Sequence, residues 1–328
     1  MVHYNAAMGI SAVKTISIVT PCYNEAAGIG AYLDAVLGVA GRLPDYQFEF
    51  LFIDDGSEDD TCVALQARAA EDRRVKIVAL SRNFGHQRAI VAGLDYCAGD
   101  FIIVADADMQ DPPELFSAII AELERGADVV HMVRSDRSVD SWPKRATAAA
   151  FYAFMRRWVL PELRPNSGDF KGFNRRALQA LLLYRENVRF LRGLFATLGF
   201  RQTEIPYVRA ARHSGASKYP LTSVLRLARD AIVSNTVLPL RAGLYLGGIS
   251  IAAACLHAAG CVAAFLAGNR FESPALMVLI GLVLFFSGAM LAMLGFIGEY
   301  LKCIVLETKQ RPLYIVRALY NLPGTGDA

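Results

Sequence analysis

Five short apolar runs, alternating with segments of helical pattern, most restrict how this 328-residue chain can fold. They read TISIVTP, FEFLFIDD, RVKIVALS, DFIIVADAD and ADVVHMV, and all lie before residue 135. Each run is apolar at nearly every position, which indicates a strand with both faces buried. Such strands, connected by helices, are typical of a parallel sheet covered on both sides. The sequence therefore predicts an α/β fold with a mostly parallel sheet.

Polar residues follow four of these runs, at the point where each predicted strand ends. In chain order the ends carry PCYNE, DDGS, SRNFG and DADMQD. Ligands of parallel α/β sheets bind beyond the carboxyl ends of the strands, so we expect these groups to share one crevice. At the fourth end, Asp106 and Asp108 stand two residues apart and their carboxylates repel each other. A cation or water is therefore expected between them.

Two long segments near the C-terminus, 242–268 and 275–298, contain no Asp, Glu, Lys or Arg. Hydrophobic residues make up 54% of the chain, and the mean hydropathy is +0.31. About 20 apolar residues of helix cross a bilayer core, so the two segments predict a transmembrane hairpin. Two buried helices of a soluble protein are the alternative.

Basic residues around the predicted hairpin indicate its orientation. Arg241 precedes the first span, four basic residues follow the second within residues 302–317, and the connector NRFESP carries only Arg270 and Glu272. Because positive charge marks the cytoplasmic side, both termini are expected in the cytoplasm. Residues 220–241 place apolar side chains on one helical face, which predicts an amphipathic helix at the membrane interface. Residues 147–160 are a second candidate of this kind.

Composition excludes several other classes. The six cysteines form no C-x-x-C pair, which indicates a reducing compartment, and the five histidines are too dispersed for a zinc site. A net charge of +3 without a basic and aromatic repeat gives no reason to expect nucleic acid. The first predicted strand is followed by Gly28 and Gly30 without a third glycine, which is weak evidence for a dinucleotide site. A phosphatase D-x-D motif usually has Thr or Val where this chain has Gln110.

Six motifs in register then resemble those of glycosyltransferase family 2. They are SIVTPCYNE, FIDDGSEDDT, SRNFGHQRAI, DADMQDPPE, SGDFKGFNRRAL and GASKYP, spread over residues 16 to about 225. Within that family the chain looks like the polyprenyl-phosphate branch, which includes bactoprenol glucosyltransferases and dolichyl-phosphate mannose synthases. The resemblance implies a GT-A fold, a nucleotide-diphosphate sugar as donor and a polyprenyl phosphate as acceptor. It also implies a divalent cation, Mg²⁺ or Mn²⁺, which would neutralise the diphosphate leaving group.

The resemblance also assigns roles to individual residues. Those implied to act in catalysis are Asp169 and Asp108. Those implied to bind the metal are Asp106, Asp108 and Gln110. Those implied to bind the nucleotide are Pro21, Tyr23, Glu25, Asp54, Asp55, Asp106, Arg212 and Lys218. Those implied to bind the acceptor phosphate are Arg134, Arg145 and Arg209, with Ala149 in place of the serine that often follows the second of these.

Two of these roles stay open. Asp111 is either a further ligand or the N-cap of a helix that starts in DPPE. Asp169 matches the family's catalytic base, but a phosphate monoester is already mostly a dianion at neutral pH, because its second pKa is near 6. Asp169 therefore either removes a proton or orients the acceptor or the sugar.

Taken together, these features predict four segments. Residues 1–219 form the cytoplasmic catalytic domain, 220–241 the interfacial helix, 242–301 the two spans and 302–328 a cytoplasmic tail. The expected protein is an inverting glycosyltransferase in the cytoplasmic membrane of a bacterium, and a homo-oligomer is left open. A processive polysaccharide synthase is an alternative, although Phe154 stands where its Q/R-x-x-R-W motif needs Gln or Arg. An inactive membrane-tethered scaffold that binds nucleotides is another.

Overall fold

The computed structural model describes residues 13–135, 167–184, 191–208 and 274–322, with isolated positions between these ranges. In this part of the chain eight strands form one sheet, in the order β7-β5-β6-β4-β1-β2-β3-β8. The strands are β1 (Thr15–Cys22), β2 (Gln47–Asp54), β3 (Val75–Leu80), β4 (Phe101–Val104), β5 (Val129–Arg134), β6 (Ser167–Asn174), β7 (Gln202–Tyr207) and β8 (Val316–Tyr320).

Helices of the described residues lie between these strands and after them. They are α1 (Ile29–Gly41), α2 (Thr61–Glu71), α3 (His86–Tyr96), α4 (Phe116–Glu124), α5 (Arg175–Leu182), α6 (Leu191–Thr197) and α7 (Pro274–Thr308), with a 3-10 turn at Pro113–Leu115. Apolar side chains of α1, α2 and α4 pack on one face of the sheet, and those of α3, α5 and α6 pack on the other. The expected α/β fold, with helices covering a mostly parallel sheet, is confirmed.

The centre of the sheet is parallel, and its strand order determines where the crevice lies. Strands β3, β2, β1 and β4 are adjacent and all parallel, so their carboxyl ends meet at one edge. The chain changes direction across the sheet at β1, since β2 and β3 lie on one side of it and β4 on the other. This is the switch point at which α/β sheets bind ligands.

Strand β6 is antiparallel and lies between β4 and β5. The fifth predicted strand, β5, is therefore not a neighbour of β4. Because β6 runs in the opposite direction, its first residues lie at the carboxyl end of β4, where Lys171 pairs with Val104. This pairing delivers Asp169 to the same edge of the sheet as Asp106.

The C-terminal part of the chain returns to the sheet. Helix α7 contains the second uncharged segment, and β8 pairs antiparallel with β3 at the sheet edge. The sheet therefore extends beyond the predicted boundary at residue 219, and residues predicted as a tail complete it. Counting only the side chains that the structure describes, we find no helix long and apolar enough to cross a membrane. Residues 220–241 lie outside the described residues, as do 147–160 and 242–268 apart from isolated positions.

Candidate active site

The loops that follow β1, β2 and β3 are joined to one another by hydrogen bonds to backbone amides. Asn24 donates its backbone N–H to Ser57 Oγ (3.1 Å), and its Oδ1 accepts from the backbone N–H of Glu58 (2.9 Å). Glu25 donates its backbone N–H to Thr61 Oγ1 (2.8 Å). Asn24 has a φ of 55°, a left-handed conformation that Asn tolerates better than most residues. We refer to these three segments, residues 23–28, 54–60 and 81–85, as the interlocked loops.

Asp55 connects the loop after β2 to the loop after β3. Its buried carboxylate accepts from the backbone N–H groups of Phe84 (2.7 Å) and Gly85 (2.9 Å), directly before α3. Burial raises the pKa of Asp55, although these two bonds act in the opposite direction. The next residue, Gly56, has a φ of +68°, and a Cβ there would lie 2.3 Å from the backbone carbonyl carbon of Arg82. Only glycine fits this close approach. The position of α3 therefore depends on Asp55 and on Gly56.

Asp54 is the last residue of β2 and is fully buried. Its Oδ1 accepts from the backbone N–H of Ser57 at 3.0 Å. Its Oδ2 lies 3.5 Å from Nη2 of Arg317, which reaches it from β8. A residue predicted to bind the nucleotide thus contacts a side chain from the far C-terminus.

A charged cluster lies where the ends of β4 and β6 meet. It consists of His86, Asp106, Asp169 and Arg192. The Nε2 atom of His86 is 3.5 Å from a carboxylate oxygen of Asp106 and 3.5 Å from one of Asp169. Burial alone would lower the pKa of His86, but the two carboxylates outweigh it and raise the pKa to about 9. His86 is therefore a cation at neutral pH and lies between both acids.

Asp169 is the most heavily bonded member of the charged cluster. Arg192 binds it with both ends of its fork, at 3.1 Å from Nε to Oδ1 and 3.1 Å from Nη2 to Oδ2. Gln87 Nε2 also donates to Oδ2 at 3.1 Å. Burial would raise the pKa of Asp169, but Arg192 and His86 hold it well below its usual range. A carboxylate with so low a pKa is a weak base, which favours a role in orienting a substrate.

The DADMQD segment turns sharply after β4. Asp108 Oδ1 accepts from the backbone N–H of Gln110 at 3.1 Å, and Met109 between them has a φ of 60°. A left-handed conformation is strained for methionine, and such strain occurs often at functional sites. The turn leaves Asp108 and Gln110 half-buried at the edge of the sheet that also carries Asp106.

Asp111 is not the N-cap of the 3-10 turn that follows it. The N-cap of the 3-10 turn is Pro112, so the predicted capping position is displaced by one residue. The buried Asp111 accepts from the Tyr207 hydroxyl at 3.1 Å and from the backbone N–H of Asp106 at 3.4 Å. It thereby attaches the DADMQD segment to the end of β7.

The donor atoms in this region fit a hard divalent cation. Asp106, Asp108 and Gln110 offer carboxylate and amide oxygens, which are the ligands that Mg²⁺ and Mn²⁺ prefer. Within the described residues, no three His, Cys, Asp or Glu side chains form a group that could hold a metal ion. One or two protein carboxylates are enough for Mg²⁺, which usually keeps several waters and binds substrate phosphates.

The other predicted site residues fall into two groups. Pro21 is buried in β1, Tyr23 and Glu25 are half-buried in the loop that follows, and Arg134 ends β5. The Nε atom of Arg134 is buried and has no hydrogen-bond partner among the described residues. The remaining members lie outside the described residues: Arg145, Arg209, Arg212 and Lys218.

Sequence reasoning did not single out His86, Gln87, Arg192 or Arg317. His86 and Gln87 belong to the motif SRNFGHQRAI, so their place at a strand end was the available signal. Arg192 contacts Asp169 across 23 residues and Arg317 contacts Asp54 across 263. Contacts over such separations leave no periodic pattern in a sequence.

Two of the solved structures that are similar to this chain are a synthase and a mannosyltransferase. Glucosyl-3-phosphoglycerate synthase from Mycobacterium tuberculosis, in complex with Mn²⁺, UDP and phosphoglyceric acid, has a TM-score of 0.43 at 22% identity and covers 67% of this chain and 76% of its own. The mannosyltransferase PcManGT from Pyrobaculum calidifontis, in complex with GDP-Man and Mn²⁺, has a TM-score of 0.44 at 16% identity, with coverages of 92% and 88%.

Sequence relatives cover nearly the whole chain. The uncharacterized glycosyltransferase YkcC of Bacillus subtilis is 38% identical over 309 residues, 93% of this chain and 94% of its own. The bactoprenol glucosyl transferase of Shigella phage SfV is 36% identical over 304 residues, 92% of this chain and 98% of its own. Residues 17–182 match the family described as glycosyl transferase family 2, and they include the interlocked loops, His86, Asp106 and Asp169. The chain therefore belongs to glycosyl transferase family 2.

Proposed function

We propose that this protein transfers one sugar from a nucleotide-diphosphate sugar to a polyprenyl phosphate, with inversion at the anomeric carbon. The observation that carries the proposal is the charged cluster, in which Asp106 and Asp169 meet beyond the sheet switch point in a family 2 chain. The acceptor class is supported by the relatives named bactoprenol glucosyl transferase, which align along more than nine-tenths of both chains.

The donor binds along the interlocked loops, with its diphosphate next to the DADMQD segment. Asp106, Asp108 and Gln110 would hold a divalent cation, and such an ion would supply positive charge beside the diphosphate leaving group. In this proposal Asp54 and Asp55 bind the base or the ribose. Arg212 and Lys218 act on the diphosphate, and Arg134, Arg145 and Arg209 act on the acceptor phosphate, whose geometry suits the fork of arginine.

Inversion follows from a single displacement. The acceptor phosphate oxygen attacks the anomeric carbon, and the nucleoside diphosphate leaves from the opposite face, so no protein nucleophile is required. Since the acceptor is already mostly a dianion, the low pKa of Asp169 is no obstacle. Asp169, fixed by Arg192 and Gln87, orients the acceptor or the sugar hydroxyls for this attack.

A lipid acceptor requires contact with a membrane, and we include anchoring in the proposal. The uncharged segments 242–268 and 275–298 cross the cytoplasmic membrane of a bacterium as a hairpin, and residues 220–241 lie at its surface. This topology leaves the catalytic domain in the cytoplasm, where nucleotide sugars are made. It is supported by the length of the segments and by the basic residues that flank them.

The test uses the full chain purified in detergent, with a panel of UDP- and GDP-linked sugars and undecaprenyl phosphate. We expect one donor to yield a lipid with a single added sugar by mass spectrometry, an inverted anomer by NMR, and loss of turnover with EDTA. Products with several sugars would favour a processive synthase. Metal-dependent nucleotide binding without transfer from any donor would favour an inactive scaffold.

A further inference from the structure

The C-terminal strand β8 carries a β-bulge at Arg317. In the pairing with β3, Ala318 is opposite Ala79 and Val316 is opposite Leu80, so Arg317 is the extra residue on its strand. A bulge turns its side chain away from the regular alternation of a strand, and bulges are frequent next to active sites. The Arg317 guanidinium extends past β3 to Asp54 Oδ2 at 3.5 Å, and it lies 3.8 Å from Cys62 Sγ at the start of α2.

Several contacts fix β8 in this position independently of Arg317. The Tyr320 hydroxyl accepts from Gln66 Nε2 (2.9 Å), and Asn321 Nδ2 donates to the carbonyl oxygens of Ala69 (2.7 Å) and Val75 (2.8 Å). Leu322 is buried in the core formed with α3. The strand therefore does not need the Arg317–Asp54 contact to remain docked, and Arg317 is half-exposed.

The place that Arg317 reaches is on the nucleotide side of the crevice. Asp54 is fully buried at the end of a central strand, and one of its oxygens already accepts from Ser57 N–H. A buried carboxylate at this point suits the ring N–H of a nucleotide base. Its orientation then depends on the backbone N–H of Ser57 at Oδ1, on Arg317 at Oδ2 and on the Cys62 side chain, which also hydrogen-bonds the carboxylate.

We infer that β8 is part of the donor site and that Arg317 is a positioning residue, which orients Asp54 for recognition of the nucleotide. This inference rests on the proposed nucleotide-sugar donor. It also gives the segment after α7 a function: residues that follow the proposed membrane anchor complete the nucleotide pocket. Movement at the end of α7 would then change donor affinity through β8.

The test compares Arg317→Ala, Arg317→Lys and Asn321→Ala in the full chain. The probe is UDP with MnCl₂ in isothermal titration calorimetry, with GDP as the alternative base, and donor KM and kcat are measured where transfer is detected. For Arg317→Ala we expect Kd and donor KM to rise about fivefold, and kcat to stay within about twofold. Arg317→Lys keeps the charge and should recover part of the affinity. Asn321→Ala weakens the docking of β8 without touching Asp54, so it should lower Tm more than it changes Kd.

A double-mutant cycle with Asp54→Asn provides the second measurement. If Arg317 acts through Asp54, Arg317→Ala should cause no further loss of UDP affinity in the Asp54→Asn background. An unchanged Kd in Arg317→Ala would overturn the inference. So would equal changes of Kd and Tm in Arg317→Ala and Asn321→Ala, because the role would then be structural.

The same experiment separates this inference from the proposed function. A wild-type chain that binds UDP or GDP but transfers no sugar to undecaprenyl phosphate would contradict the proposed acceptor, and the Kd series would still test Arg317. A wild-type chain that binds neither nucleotide would contradict the donor site and the role of Arg317 together.

Discussion

The interlocked loops and the charged cluster lie side by side at one edge of the sheet, yet they hold their carboxylates in different ways. In the loops, Asp55 accepts from two backbone N–H groups, and Asp54 accepts from a third. In the charged cluster, Asp106 and Asp169 face the side chains of His86 and Arg192. Backbone donors belong to a fixed loop shape, whereas cationic side chains can turn toward a ligand.

This difference predicts different roles for the interlocked loops and the charged cluster. Backbone N–H groups cannot turn toward another partner without a change of the loop, so the loops provide a preformed surface for the donor. Ion pairs between side chains can exchange partners when a diphosphate, a metal ion or an acceptor phosphate arrives. Substitutions in the loops should therefore act mainly on stability, and those in the charged cluster mainly on turnover.

Asp169→Asn gives the largest expected effect and tests the cluster side of the comparison. The amide loses the charge that Arg192 and His86 neutralise, so we expect transfer to fall at least about 100-fold, about 2.7 kcal/mol of barrier. UDP affinity should change little. The matched control is Asp100→Asn at the opposite end of β4, where the carboxylate accepts from Thr15 N–H, and its turnover should be close to wild type. Near-normal turnover in purified Asp169→Asn would remove Asp169 from catalysis.

Gly56→Ala tests the loop side. The added Cβ would lie 2.3 Å from the Arg82 backbone, and the φ of +68° is unfavourable for alanine. We expect the free energy of unfolding to drop by about 2 kcal/mol in urea titrations. Gly38→Ala in α1 is the control, because a Cβ there meets nothing within 4 Å. That control should be neutral or slightly stabilising, and an equal loss in both variants would contradict the strain at Gly56.

Arg192→Lys sharpens the comparison. It keeps a positive charge beside Asp169 but removes the planar guanidinium that binds both carboxylate oxygens. We expect kcat to fall about tenfold, about 1.4 kcal/mol, because a lysine cannot bind both carboxylate oxygens in the same plane. Stability should stay close to wild type. Arg176→Lys, at an exposed arginine 4.0 Å from Asp128, is the control and should leave kcat unchanged. If Arg192→Lys turned over normally, charge alone would explain the role of Arg192.

His131 gives the smallest expected effect and supplies a pH reference outside both regions. It is buried in β5, where its ring bonds Gln202 at 2.8 Å, and burial together with Lys171 lowers its pKa to about 3. The unfolded chain binds this proton near pH 6.5, so stability is full above that value and is lost as the pH falls toward the folded pKa.

The measurement is the free energy of unfolding of wild type and His131→Gln. Between about pH 7 and pH 6, wild type should lose about 0.7 kcal/mol more than the variant. Between about pH 6 and pH 4 the gap should continue to widen, because over that range the unfolded chain carries the His131 proton and the folded chain does not. Parallel pH curves for the two proteins would show that His131 does not contribute.

Much of the sheet could be predicted from the sequence, because its central strands are buried on both faces. The apolar runs predicted β1 to β5, and the polar residues that follow four of these runs predicted the crevice. Strand β6 was visible only as a motif, since SGDFKGFN contains two glycines and four polar or charged residues. Strand β8 follows a long helix and has five residues, which is too short a pattern to assign.

The candidate site could be predicted in part, for a different reason. Asp106 and Asp108 were found because acids at a strand end need an explanation, and Asp169 was found because it lies in a motif that resembles those of the family. His86 and Arg192 were not, because a lone histidine or arginine has many ordinary uses and only the fold shows which carboxylate it faces. The partners of a charge depend on strand order, and here the insertion of β6 between β4 and β5 brings Asp169 to Asp106.

The position of β8 also has a consequence for the order in which the protein can fold during synthesis. Strand β3 is made early, but its outer edge stays unpaired until residues 316–320 leave the ribosome, after the whole of α7. An open strand edge is a template for association with other chains. A chain shortened before residue 316, for example to remove the apolar segments, would keep that edge open and leave the Leu322 site in the core unfilled. We expect such a chain to aggregate unless a strand is supplied in its place.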